Sequence, residues 1–305
     1  MSSGSLTTVF FFFAIRAAPE PSSSHLRLYI PKRSAYTLFF ERTTKFFSEN
    51  TDPFSLAYFC ITTGDSMGTS RNMSQATVFM TALQFRDAGN PRQASFDSVF
   101  NKYFADVPMD SVGNNDVPYS RTTNLIDPFF PYGSRRGFYG PQTTNITAGF
   151  LSTAYATFQN HLSELKRAGE KFTSSGWVVQ YQMPTLNGNA PKTNAATGWP
   201  HAVVGHQTLF SPAWQNAKND ATIFKYNDQF NALTWGNQAK LSPSFLPDYP
   251  NYQSPGLEGK RIYGDNVARL IQIKDKYDPK CRLSNGRTFG TRACVAKGMG
   301  NLFTA

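Results

Sequence analysis

The hydrophobic positions change period along the chain, and the changes divide it into elements. Over residues 146–169, ITAGFLSTAYATFQNHLSELKRAG, the side chains Phe150, Leu151, Ala154, Tyr155, Phe158, Leu162 and Leu165 return at three- and four-residue steps. That spacing places them on one face of a helix. Lys166 and Arg167 complement the negative end of the helix dipole, and Gly169 can end the helix. His161 falls at the edge of the stripe, where exposure is expected.

Elsewhere the pattern is shorter. Residues 54–62 and 75–85 are apolar and β-branched enough for strands of one sheet. Residues 34–48 read as a short helix with Ser34 as its N-cap. A polar turn covers 85–95, a helical stretch 94–105, and 106–140 is loop-rich, with Pro, Gly and Asn throughout. RRGFYG (135–140) opens a new strand or an active-site loop. Strands are expected at 176–184 and 201–214, and a helix over 214–234. A last helix opens at Tyr263 and carries Val267, Leu270, Ile271 and Tyr277 as its stripe, with Tyr277 expected in the core. Arg269 and Lys274 fall on its surface or in ion pairs. It stops near Asp278-Pro279, since proline disfavours helical geometry in the residue before it. Strands and helices come in mixed order, without strict βαβ alternation. That favours an α+β fold, an antiparallel sheet covered by helices.

The apolar run 9–15 is too short to span a membrane. Residues 1–8 hold no Lys or Arg, so a signal peptide is disfavoured. A buried strand followed by a Pro-Glu-Pro-Ser break fits better, and the compartment is left open. The 305 residues are 40% hydrophobic, enough for a sizeable core, and rich in Phe (27) and Tyr (14), which suits bulky packing or an aromatic-lined cavity. The net charge is +10, but Lys and Arg are scattered in runs no longer than a pair, which argues against nucleic acid as a partner. Cys60 sits in an apolar run as a small hydrophobe, while Cys281 and Cys294 are free to pair or not. Asn72-Met-Ser and Asn145-Ile-Thr match the short glycosylation acceptor motif, which arises often by chance.

Common catalytic motifs are absent: no P-loop, no GxSxG, and no GxGxxG opening a helix. His201 and His206 are five apart, so a strand puts them on opposite faces and joint metal ligation is not expected. What stands out is a constellation near the C-terminus. Gln207 lies seven residues before Trp214, a loop carries Tyr249-Pro-Asn251-Tyr252, and Tyr263-Gly-Asp-Asn266 opens the last helix. Each of these has an ordinary packing role as its alternative.

Together, YPNY…YGDNVARLIQIKDKYDP resembles the C-terminal region of FAD-linked oxidoreductases of the berberine-bridge-enzyme type, within the vanillyl-alcohol-oxidase flavoproteins. WPHAVVGHQTLFSPAW resembles that family's Pro-His strand ending in Trp, and FFFFAIRAAPEPSS the strand that closes its flavin domain. The resemblance implies hydride transfer from an organic substrate to FAD. It implies Tyr252 as the proton-accepting tyrosine and Gln207 as a substrate-orienting amide. Asn266 and Tyr263 would contact or wall the flavin, and His201 and Asn251 would line the substrate pocket. A phenol serves as base only if its pKa falls from about 10 towards the working pH. The implied substrate is a small aromatic or alkaloid-like molecule, as in fungal-type secondary metabolism.

The resemblance does not extend to the family's flavin-binding half. Residues 1–20 would be its closing strand and linker, 21–245 the substrate domain, 246–290 the flavin-capping segment and 291–305 a tail. The expectation is a truncated chain that holds FAD poorly and has low or no activity alone, its partner being a missing flavin domain. A non-catalytic binding or structural remnant of the same fold is the alternative.

Overall fold

The computed structural model describes residues 23–63, 75–86, 94–118, 120–121, 133–170, 175–181, 197–200, 205–241, 243–252 and 259–282. The expected strand at 9–15, His201 and Cys294 lie outside these residues.

An antiparallel layer organises them. Strands β1 (Ser23–Pro31), β2 (Ser55–Thr63), β3 (Ala76–Arg86), β4 (Met109–Pro118), β6 (Gln142–Thr143), β7 (Gly176–Gln180) and β8 (His206–Ser211) form one sheet in the order β4-β1-β3-β2-β7-β8-β6. A two-stranded ribbon joins β5 (Arg135–Arg136) to β9 (Ala213–Trp214). Every pairing is antiparallel. The helices are α1 (Tyr36–Glu49), α2 (Phe96–Phe104), α3 (Ala148–Arg167), α4 (Asp220–Gln238), α5 (Gly259–Tyr263) and α6 (Val267–Tyr277). The α+β class expected from the sequence is therefore the observed one.

Side chains of successive strand residues point to opposite faces. On one face Ala57, Phe59, Ile61, Val78, Met80, Trp177, Val179 and Phe210 join the core residues of α1 to α4. The other face begins with a smaller cluster, Ile30, Cys60 and Phe79, packed with Leu28, Tyr58 and Val178. The helical layer is dominated by phenylalanine. Phe46 has ring neighbours in Phe47, Phe100, Tyr103, Phe104 and Tyr181, with centroids 5.0–6.1 Å away. Each fully buried Phe contributes about 1.5–3 kcal/mol, which is where this chain spends its aromatic content.

Several elements correct the sequence reading. Residues 109–118 are a strand, β4, inside the stretch read as loop. Its Gly, Asn and Asp residues are tolerated because it is an edge strand, exposed along most of its length and paired to β1 on either side of an irregularity at Asp110. Ser34 does not cap α1. It lies in a 3-10 turn, Arg33–Ala35, that starts earlier and leads straight into the helix. His161 is fully buried, between Phe158, Phe210 and Tyr226, because α4 covers the edge of the α3 stripe. Pro212 separates β8 from β9 where one strand was expected. The last helix is two helices hinged by a 3-10 turn, Gly264–Asn266. Tyr277, expected in the core, is 74% exposed, since α6 buries none of its residues. Lys274 does form the expected ion pair, with Asp278 at 2.5 Å. Cys60 is buried and free, as an inert hydrophobe should be, with burial raising its pKa. Cys281 is disulfide-bonded.

Candidate active site

The site is built on the sheet face away from the helical layer. Cross-strand registers place Tyr58 opposite Gln180, Gln180 opposite Gln207, and Gln207 opposite Gln142. Directly opposed residues of antiparallel strands share a face. One uncharged row therefore runs across β2, β7, β8 and β6: a phenol and three carboxamides. Gln142 is committed to structure. Its Oε1 accepts from the Gly205 N–H at 2.9 Å and its Nε2 donates to the Pro247 carbonyl at 2.5 Å. That ties the loop carrying Tyr249–Tyr252 to the sheet.

Gln207 is 4% exposed, and its Oε1 has no hydrogen-bond partner among the described residues. An unpaired buried acceptor costs about 1–3 kcal/mol, so its retention asks for a donor. Gln180 is half-buried, and its Nε2 donates to Tyr252 Oη at 2.8 Å. Tyr252 is thereby brought to the same row as Gln207. Its backbone is fixed at both ends: its N–H donates to the Tyr249 carbonyl, and its carbonyl accepts from the Gly140 N–H at 2.9 Å. Gly140 has to be glycine, because a Cβ there would meet the Thr208 carbonyl oxygen at 2.0 Å. The RRGFYG stretch thus ends as a support for the tyrosine loop.

Burial raises the Tyr252 pKa; the Gln180 hydrogen bond opposes this and neighbouring Tyr249 adds to it. Burial likewise pushes Tyr58 up to about 12, with Tyr252 contributing. Neither phenol is poised as a base by this chain alone.

The aromatic row continues outward. The Tyr249 ring meets Tyr252 edge-on at 5.2 Å and Trp199 at 5.7 Å. Trp199 Nε1 donates to the Asp248 carbonyl at 2.9 Å. The Asn266 amide donates to the carbonyls of Thr197 and Gly198 at 3.1 and 3.2 Å, fixing the segment that presents Trp199. Gly264, at φ +53°, supplies the left-handed turn that brings Asn266 back towards this segment. Tyr263 is half-buried just before that turn. Asn251 is exposed, and its amide donates to Tyr249 Oη at 3.0 Å, so it braces Tyr249. Asp248, 2% exposed, accepts from Arg261 and from Trp235 Nε1, anchoring the whole segment to α4. Among the described residues, no group of three or more His, Cys, Asp or Glu is placed to hold a metal. No described helix is long and apolar enough to cross a membrane.

Residues 248–282, the segment from the buried aspartate to just past the last helix, match the family model described as berberine and berberine like. The chain superposes on an oxidoreductase, GilR, solved in complex with pregilvocarcin, with a TM-score of 0.60 at 15% identity. The superposition covers 87% of this chain and 55% of that one. The likeness is one of fold. BBE-like 1 of Physcomitrella patens gives a TM-score of 0.57 at 13% identity, over 85% of this chain and 52% of that one. CrmK, a flavoenzyme of caerulomycin biosynthesis, gives 0.58 at 17%, over 86% and 54%. In sequence, the bifunctional decalin synthase calF of Penicillium decumbens is 25% identical over 216 residues, 64% of this chain and 35% of calF. The chain thus spans about a third of that relative, and about half of each of these structures.

Gln180, Gln142, Tyr58 and Trp199 were missed in the sequence. One signal was available for Gln180. In GWVVQ the glutamine is in phase with Val178 and out of phase with Trp177 and Val179, so it shares no face with the core tryptophan.

Proposed function

We propose that this chain supplies the substrate-binding sheet and the flavin-facing C-terminal segment of an FAD-linked oxidoreductase acting on a small organic molecule. The observation that carries the reading is the uncharged row of Tyr252, Gln180 and Gln207 on one sheet face, with the buried Gln207 Oε1 lacking a donor. This orphaned acceptor and the phenols fit the ring end of a flavin and a neutral substrate; no described residue is assigned to the nucleotide end. When bound, FAD would accept the hydride. Gln207 would accept a hydrogen bond from the substrate's hydroxyl or N–H group, and Tyr252 would take its proton. Tyr263 and Asn266 would hold the flavin edge, with Trp199 and Tyr249 walling the approach. Residues 23–245 serve in this reading as substrate domain and 246–282 as the flavin-facing cap. The aromatic lining suits a flat, hydroxylated aromatic compound or an alkaloid-like one of secondary metabolism.

The test is a titration of FAD with the purified chain, read by the flavin's visible spectrum, followed by anaerobic addition of candidate substrates. A perturbed spectrum that bleaches with substrate supports the reading. An unperturbed spectrum at high chain concentration counts against flavin binding by this chain. One consideration favours a second reading, a binding module without turnover: burial raises the Tyr252 pKa, against its use as a base. That module would perturb the flavin spectrum without any bleaching.

A further inference from the structure

We propose that Gln180 is the positioning residue for Tyr252, anchoring the phenol oxygen from an inner strand and leaving the oxygen's other side free to take a proton from the substrate side of the face. This rests on the reading of Tyr252 as the proton-transfer group. Gln207 is the neighbour in the row, yet the hydrogen bond runs from Gln180 Nε2 to Tyr252 Oη, at 2.8 Å. A phenol oxygen that accepts an N–H must send its own O–H elsewhere. With Gln180 behind it, the other side of that oxygen is the one left, once the phenol is ionised, to accept the substrate's proton.

The anchor is also stiff. Gln180 ends β7, whose backbone is paired on both sides, Tyr58 of β2 on one and Gln207 of β8 on the other. The loop end is fixed through Gly140. The phenol is therefore held from its backbone and from its oxygen, leaving little rotational freedom to lose on reaction. An N–H bond to a phenolate is stronger than one to a phenol, so the same contact favours the deprotonated form against burial. The titratable groups bearing on Tyr252 are Tyr249 on its own loop and Tyr58 on β2.

The test needs no flavin. Tyrosine is labelled with carbon-13 at Cζ, the Tyr252 resonance is assigned from Tyr252→Phe, and its titration is followed by NMR in the whole chain. In Gln180→Leu the Tyr252 resonance should titrate at higher pH than in the native chain, while Gln207→Leu leaves it in place. Should Gln180→Leu fail to fold, Gln180→Glu keeps the side-chain length and should raise the titration further, since a carboxylate opposes phenolate formation. A Tyr252 titration unmoved by substitution at 180, or moved by Gln207→Leu instead, overturns the proposal. Because the readout is independent of FAD, a negative flavin titration leaves it standing, and a negative NMR result leaves the flavin reading standing.

Discussion

Arg261 lies between the rings of Trp235 and Phe245, 4.6 and 4.7 Å from their centroids, and reaches the buried Asp248 at 2.9 Å. Burial raises the Asp248 pKa, and Arg261 works against it. Removing the guanidinium would leave an uncompensated buried carboxylate, a defect that costs about 3–5 kcal/mol. Arg261→Met should lower stability by roughly that amount in urea unfolding, and Asp248→Asn/Arg261→Met should recover much of it. A loss below about 1 kcal/mol in the single variant would mean the clamp is not what holds the segment. In a flavin-loaded form, Tyr252→Phe should reduce turnover by about 10²–10⁴-fold, the range for losing a general base, with the unfolding midpoint little changed. Turnover equal to the native value would remove Tyr252 from the mechanism. Tyr252 and Gln207 were nominated by the resemblance of the sequence to its family. Gln180 was not, because its importance lies in register: only strand pairing sets Tyr58, Gln180 and Gln207 in one row.

Among the elements, α1 and α2 meet through Phe46, which is fully buried and ringed by five aromatic side chains. Phe46→Ala should cost about 3–5 kcal/mol, seen as a lower denaturant midpoint with an unchanged slope. A cost under 1 kcal/mol would show that the layer collapses into the void. Elements with a strong period were legible. The α3 stripe, the capping of its C-terminus by Lys166, Arg167 and Gly169, and the strands β2 and β3 all follow from side-chain spacing. Elements stabilised by their neighbours were not. The sequence MDSVGNNDVP has weak strand propensity and becomes β4 because β1 offers nearly all of it a ladder of partners. The 3-10 hinge inside the last helix escaped for a similar reason. Gly264 was noticed as part of a motif, but its positive φ is a backbone state that apolar spacing does not encode.

At the scale of the molecule, two buried imidazoles give the fold an acid limit. Burial lowers the pKa of His161 to about 3 and of His206 to about 4, from an ordinary value of 6.5. His161 has both ring nitrogens unpartnered among the described residues, and His206 packs against Phe47 and Tyr181. In the unfolded chain both would bind protons below about pH 6.5, whereas the folded chain refuses them until near pH 3–4. The unfolded state therefore holds more protons across this window, so stability is full above it and falls as pH drops. Each imidazole removes about 1.4 kcal/mol per pH unit. Over two units the pair removes a sum comparable to the whole stability of a domain, about 5–15 kcal/mol. Urea midpoints should thus decline from pH 6.5 towards 4. In His161→Leu, which keeps the side chain apolar and close in volume, the decline should be about half as steep. A flat profile in the native chain, or one equally steep in His161→Leu, would mean that these imidazoles are hydrated in the fold and that its acid limit is set by the carboxylates instead.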